Sequence, residues 1–370
     1  MGERKLFKGI AAVVLAAALV GLIAAGASAR TGSAKSPTAA KIKACALLPD
    51  TKSSTRYTLF DAPYLKAAFK KAKVPAQVLN ALNDPQKQKS QAQQCLAKGA
   101  KVILLDQLNA ASGKAITNLA VSQGAKVIDY DRLVVGSKAA YYVSFNNPGV
   151  GKLMGTGLIA ALKAKGKYGS HPVVGRLNGG ITDNNAHLFR QGYNSVLNPL
   201  YKNGTFKKPQ SDDQYTDWDP IKGRQIFDQM LAQNGNKIDA MIAANDGLAG
   251  AVIASLKAHG LNPIPLTGQD ATPTGVQFIL AGWQTGTVYK SVKREAAASA
   301  TLAIAIIKGQ KVSLPAIAKQ YKGVSQKVSG TRSVLLTPVW VTKKNYKLLF
   351  KDGFLKKKQV CVGEYAKYCK

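Results

Sequence analysis

Glutamate occurs three times in this 370-residue sequence, at Glu3, Glu295 and Glu364, and arginine only nine times. With so few Arg residues, most of the 52 basic side chains are Lys, the hydrated point charge and not the planar fork that reads phosphates and bases. They are spread along the chain with no aromatic interleaving, so the formal net charge of +33 does not mark a nucleic-acid surface. His171, His187 and His259 lie too far apart for a local metal motif, and no C-x-x-C or H-E-x-x-H is present. There is also no G-x-S-x-G elbow and no Walker loop. The cluster Gly149-Val-Gly151-Lys-Leu-Met-Gly155 has the wrong last spacing for a dinucleotide fingerprint and reads better as helix packing. No cofactor, no metal and no enzymatic activity are expected.

What is present begins with an address. Arg4, Lys5 and Lys8 precede an apolar run from Gly9 to about Ala25 that ends in Ala27-Ser28-Ala29, the pattern of a cleavable secretory signal. Residues 1–29 are therefore expected to be a signal peptide and residues 30–40 a flexible leader, with the mature protein exported to the periplasm or the extracellular cell envelope. The four cysteines suit an oxidising compartment. Cys361 and Cys369 are placed to close a small loop in the basic tail. Cys45 and Cys95 either bond or remain buried thiols.

From Ile42 onward short apolar runs alternate with longer segments of helical spacing. The runs are Cys45–Leu48, Val102–Leu105, Lys126–Tyr130, Tyr141–Phe145, Val173–Leu177, Ile238–Ala244, Ile264–Thr267 and Thr287–Tyr289. Bare apolar strands separated by helices imply parallel sheets buried on both faces, and the number of units implies two α/β domains. Polar residues fall just after these strands: Asp50 to Arg56, Asp106-Gln107, Asp131-Arg132, Asp183-Asn184-Asn185, Asp217-Trp218-Asp219, Asn245-Asp246, Gln269-Asp270 and Lys290. Ligands of parallel α/β sheets bind outside the carboxyl ends of the strands. Carboxylates, amides, basic donors and an aromatic face suit a small, neutral, polyhydroxylated ligand.

The stretches Val127-Ile-Asp-Tyr-Asp-Arg132, Tyr142-Val-Ser-Phe-Asn-Asn147, Asp183-Asn-Asn-Ala-His-Leu-Phe-Arg190, Asn236-Lys-Ile-Asp-Ala240 with Ala244-Asn-Asp246, Gly268-Gln-Asp-Ala271, Thr285-Gly-Thr-Val-Tyr-Lys290 and Leu336-Thr-Pro338 carry a resemblance. Together they resemble the xylose-binding members of the periplasmic sugar-binding proteins of ABC transporters, from about Lys41 to Gly353. The resemblance implies two similar Rossmann-like α/β domains with parallel sheets, joined by three hinge crossings near 145–148, 289–291 and 335–338. The expected lobes are 41–145 plus 290–334 and 146–289 plus 335–352, followed by a basic cysteine-containing tail, 353–370.

Carried over position by position, the resemblance implies sugar ligands at Arg56, Arg132, Asn184, Asn245, Asp270 and Lys290, with Trp218 as the stacking aromatic. Tyr57 stands where the family tends to have Trp and can also stack. Plainer roles compete with these. Asn184 and Asn245 could be helix N-caps, and Asp270 and Arg132 could pair across the cleft. Asp131 is expected to orient Arg132 or cap a helix, and Asp129, inside a strand, to be structural. The implied function is capture of a monosaccharide, D-xylose or a related pentose, by hinge closure and delivery to ABC permease subunits by a monomer, with peripheral contact between the Lys-rich surface and an anionic envelope. The alternatives are a sugar-sensing module and, given the carboxylates Asp183 and Asp270, a carbohydrate-active enzyme.

Overall fold

Bare apolar runs become central strands. The computed structural model describes residues 41–369, so the expected signal peptide and leader lie outside the described residues. The strands are β1 (Ala44–Leu48), β2 (Ala76–Asn80), β3 (Val102–Leu105), β4 (Lys126–Tyr130), β5 (Tyr141–Phe145), β6 (Val174–Asn178), β7 (Gln214–Tyr215), β8 (Ala240–Ala243), β9 (Thr267–Gln269), β10 (Gly286–Tyr289), β11 (Gly323–Val328), β12 (Thr331–Leu336) and β13 (Val339–Val341). Seven form one sheet in the order β11-β12-β5-β4-β3-β1-β2, parallel except for the β11–β12 hairpin. In the other lobe β7-β6-β8 and β9-β10-β13 meet through a parallel bridge between Met241 and Leu266, with β13 antiparallel. The chain passes between the two lobes after β5, after β10 and after β12.

Burial on both faces explains the uninterrupted apolar strands. In β1, Ala44, Ala46 and Leu48 join one core with helices 62–71 and 292–307, while Cys45 and Leu47 join a second core with helices 85–97 and 110–122. That alternation across a sheet covered twice puts a buried apolar residue at every position of β1. Cys45 is bonded to Cys95, tying β1 to helix 85–97. In the second lobe helices 147–164 and 184–202 cross closely. A Cβ at Gly151 would lie 1.9 Å from the Phe189 carbonyl oxygen, and one at Gly192 would lie 2.2 Å from that of Pro148. The glycine cluster is thus a helix contact.

One expected strand needs correction, and β2, β7, β11, β12 and β13 were not among those expected. The run Ile264–Thr267 yields a strand only from Thr267, because Pro263 and Pro265 cannot donate to a ladder. Strand β2 is half-buried along its whole length and carries no apolar run. Strand β11 is largely exposed and polar, and its pairing with β12 is set by Ser329 (φ 47°) and Gly330 (φ 84°), a two-residue turn with both residues left-handed. The cysteine-containing tail is folded in. Phe354, Leu355 and Val360 are buried against Val276 and Leu280 of helix 273–281, the Phe354 ring lies 4.2 Å from that of Phe60, and Cys361 is bonded to Cys369. No helix among the described residues is long and apolar enough to cross a membrane.

Candidate functional site

The carboxyl ends of strands from both lobes converge on one small cavity. It is lined by Ser53, Ser54, Arg56 and Tyr57 after β1, Asp131 and Arg132 after β4, and Asp183, Asn185 and Phe189 after β6. Trp218 follows β7, Asn245 follows β8, Gln269 and Asp270 end β9, and Lys290 follows β10. Of the residues expected from sequence, Arg56, Tyr57, Arg132, Trp218, Asn245, Asp270 and Lys290 are brought together here. Asn184 is not.

The reason is helix phase. Asp183 is the N-cap of helix 184–202, its carboxylate accepting from the Asn185 amide, so Asn184 occupies the first helical position and turns away. Asn185 faces inward with Phe189 four residues on, as the helical repeat requires. Its Nδ2 donates to the Asp131 carbonyl at 2.9 Å, and its Oδ1 accepts from Asn147 at 2.7 Å. Asn245 is the helix N-cap weighed for it and also lines the cavity. Its Oδ1 caps helix 246–258 by accepting from Leu248 N, while its Nδ2 donates to the Ser53 carbonyl in the other lobe.

The charged residues form a buried lattice. Arg56 donates to Asp61 through Nε and Nη2 (3.0 and 2.8 Å), to Glu295 at 2.6 Å and to Asp131 at 3.1 Å. Most of its fork is thus committed to carboxylates, and it borders the cavity as a neutralising charge. Asp131 bridges Arg56 and Lys290, whose Nζ lies 3.5 Å from Asp131 and 3.7 Å from Asp270. Burial alone would raise the Asp131 carboxyl, but Arg56, Lys290 and Arg132 outweigh it and hold it below the ordinary carboxylate range. Its direct partners are therefore Arg56 and Lys290, not the neighbouring Arg132. Glu295 is pushed up by burial, which Arg56 only partly offsets.

Arg132 reaches Asp183 of the other lobe at 3.3 Å and Asp106 at 3.5 Å, and donates to the Tyr57 hydroxyl at 3.1 Å. Asp270 does not pair with Arg132. It accepts from Ser54 Oγ at 2.9 Å, another bond between the lobes. Tyr57 lies beside both guanidinium groups, with centroid distances of 5.3 and 5.7 Å. The Trp218 indole packs on the Gly179–Gly180 backbone, where any Cβ would collide with it, and its Nε1 donates to Asp183 at 3.0 Å. Asp129 is structural, its carboxylate anchoring the Val134 amide at 2.9 Å.

Left-handed backbone recurs along the chain, at Lys73, His171 and Asn236 among others, and also at the site. Asp131 (φ 61°), Asp217 (φ 54°), Trp218 (φ 59°) and Asp270 (φ 99°) all lie in the left-handed region, which costs on the order of 1–3 kcal/mol each for residues with a Cβ. Ser53, Ser54, Asp183, Asn185, Phe189 and Gln269 were not among the expected ligands. Only Asn185 and Phe189 had a usable signal, their spacing of four on a helix opened by an Asp cap. Among the described residues no cluster of His, Cys, Asp and Glu could hold a metal ion. The arrangement offers donors, acceptors and aromatic faces from both lobes, with the lobes bonded to each other around it.

Comparison with known proteins agrees with this geometry. Residues 45–311 match the periplasmic binding protein domain family. The chain is 34% identical over 301 residues to the D-xylose-binding periplasmic protein of Escherichia coli, covering 80% of this chain and 85% of that one. It is 31% identical over 293 residues to the multiple sugar-binding periplasmic receptor ChvE of Rhizobium radiobacter, covering 75% and 81%. A solved ABC transporter solute binding protein from Clostridium phytofermentans with bound β-D-glucose superposes with a TM-score of 0.78 at 25% identity, covering 86% of this chain and 99% of that chain. With a family match across most of its length and relatives at this identity, the chain belongs to the periplasmic binding proteins.

Proposed function

We propose that this protein captures a monosaccharide, D-xylose or a related pentose, between its lobes and delivers it to the permease subunits of an ABC transporter. The observation that carries the reading is the cavity itself, which is small, ringed by polar side chains from both lobes and walled by Trp218, Tyr57 and Phe189. Sugar hydroxyls would exchange bonds with the ion lattice, while the C–H face of the ring would lie on the indole. Export after Ala29, action as a monomer and contact between the Lys coat and an anionic envelope belong to the same reading.

A thermal-shift screen over pentoses and hexoses tests it, since a tight ligand raises the midpoint by mass action. D-xylose or a near epimer should give the largest rise. Asp270→Ala should weaken that sugar tenfold to a hundredfold in calorimetry, the worth of one charged hydrogen bond of about 1.5–3 kcal/mol. A panel with no response to any sugar would reject the reading.

A further inference from the structure

The polar side chains around the cavity are, with one exception, bonded to other protein groups. Arg56, Asp131, Arg132, Asp183, Asn245, Asp270 and Lys290 each have a charged or hydrogen-bonding partner. Gln269 does not. Its residue is 3% exposed, it lines the cavity, and its Oε1 is buried with no donor. Other buried glutamines and asparagines with an unpaired oxygen, Gln91, Gln284 and Asn147, use their amide nitrogens inside the protein, donating to Asn80, Asp246 and Asn185. Gln107 is unpaired at both ends but does not line the cavity.

A buried amide left unpaired destabilises a fold, so one facing a binding cavity is explained by what binds there. Gln269 is held where it is by its strand. Its backbone pairs with Val288 of β10, and the residue after it, Asp270, is fixed by a bond from its amide to the Val288 carbonyl. Ligand contacts here therefore follow from the ladder and not from a mobile loop. An amide carries a donor and an acceptor side by side, and a sugar hydroxyl is both, so whichever end faces the cavity finds its complement.

We infer that Gln269 reads one hydroxyl of the bound sugar and sets selectivity at that carbon, through the pairing of its otherwise unpartnered amide with that group. The inference rests on the monosaccharide reading of the cavity. A site built to bond a hydroxyl discriminates strongly against a ligand lacking it, because the protein group is then left buried and unpaired. Gln269 would supply that discrimination at one position only.

The test is a cycle between protein and ligand. Wild-type protein and Gln269→Leu are titrated calorimetrically with the preferred sugar and with its complete set of monodeoxy analogues. In wild type, removal of the hydroxyl read by Gln269 should cost tenfold or more. In Gln269→Leu the parent sugar should bind about 10–100 times more weakly, and the penalty for that one deoxy position should shrink to about threefold or less, with the other penalties unchanged. The ligand-free midpoint should hold or rise by a few degrees, since an unpaired buried amide has been removed. A uniform loss across all analogues, or no loss at all, would overturn the role of Gln269. A wild-type protein that binds no sugar would instead overturn the monosaccharide reading.

Discussion

Arg56→Met should destabilise the protein by about 3–5 kcal/mol, lowering its midpoint by roughly 10 °C at pH 7.5. Arg56 is 1% exposed and neutralises Asp61, Asp131 and Glu295, none of which reaches solvent. Methionine has nearly the same reach, so little volume is lost, and what remains is an uncompensated set of buried acids. Such acids relieve the penalty by taking protons, which sets a second expectation. The deficit of the variant against wild type, read by scanning calorimetry, should be clearly smaller at pH 5.5 than at pH 7.5. A deficit that does not change with pH would show that Arg56 acts by packing. Arg190→Met is the control. Arg190 pairs with Asp213 through a half-exposed side chain, and loss of such a pair should cost under about 1 kcal/mol.

Arg56 also marks the limit of what the sequence discloses. Its place after the first apolar run put it at a strand end, and the structure does set it beside the cavity. Its partners come from the helix that holds Glu295, 239 residues later, and from Asp61, so its commitment to carboxylates depends on tertiary proximity that no local pattern encodes. Glu295, one of only three Glu in the chain, is fully buried in this lattice and was not among the expected site residues. The strands follow the same division. Strands β3, β4 and β5 are legible at the residue level because covered faces demand apolar runs, whereas β2, β7 and β11 lie half or fully open and look like loops. Asn184 was preferred to Asn185 although the Asp183 cap fixes the helical phase. The unpaired amide of Gln269 is visible only once every neighbour is placed.

Stability should fall as pH rises from 5 to 8, the reverse of what salt-bridged carboxylates produce. Burial raises Asp129 from 3.8 to about 8, with the Val134 amide opposing, and raises Asp246 from 3.8 to about 7, with bonds from Gln284 and Thr272 opposing. Both acids therefore have folded values above their unfolded ones. Their contribution is fully present below about pH 3.8, where both states are protonated, and is lost as pH climbs through 7 and 8, where the folded protein must ionise a buried group. Between pH 5 and 8 each contributes on the order of 2–4 kcal/mol, enough to lower the midpoint by several degrees. Glu295, Asp106, Asp183 and Asp212 are also raised by burial and contribute in the same direction, whereas the chain has only three histidines. Asp129→Asn keeps the shape of the side chain and its acceptor for Val134 but removes the ionisation, so it should make the slope measurably shallower. A midpoint that rises between pH 5 and 8 in wild type would show instead that Asp131, held low by Arg56 and Lys290, and its paired neighbours govern the titration. The surroundings of Asp246 make it the second half of the test. A Cβ at Gly268 or Gly275 would lie 2.2 Å from its carboxylate, so the two glycines pack directly against the charge. Asp246→Asn combined with Asp129→Asn should therefore make the profile shallower than either substitution alone, by about the sum of the two single effects.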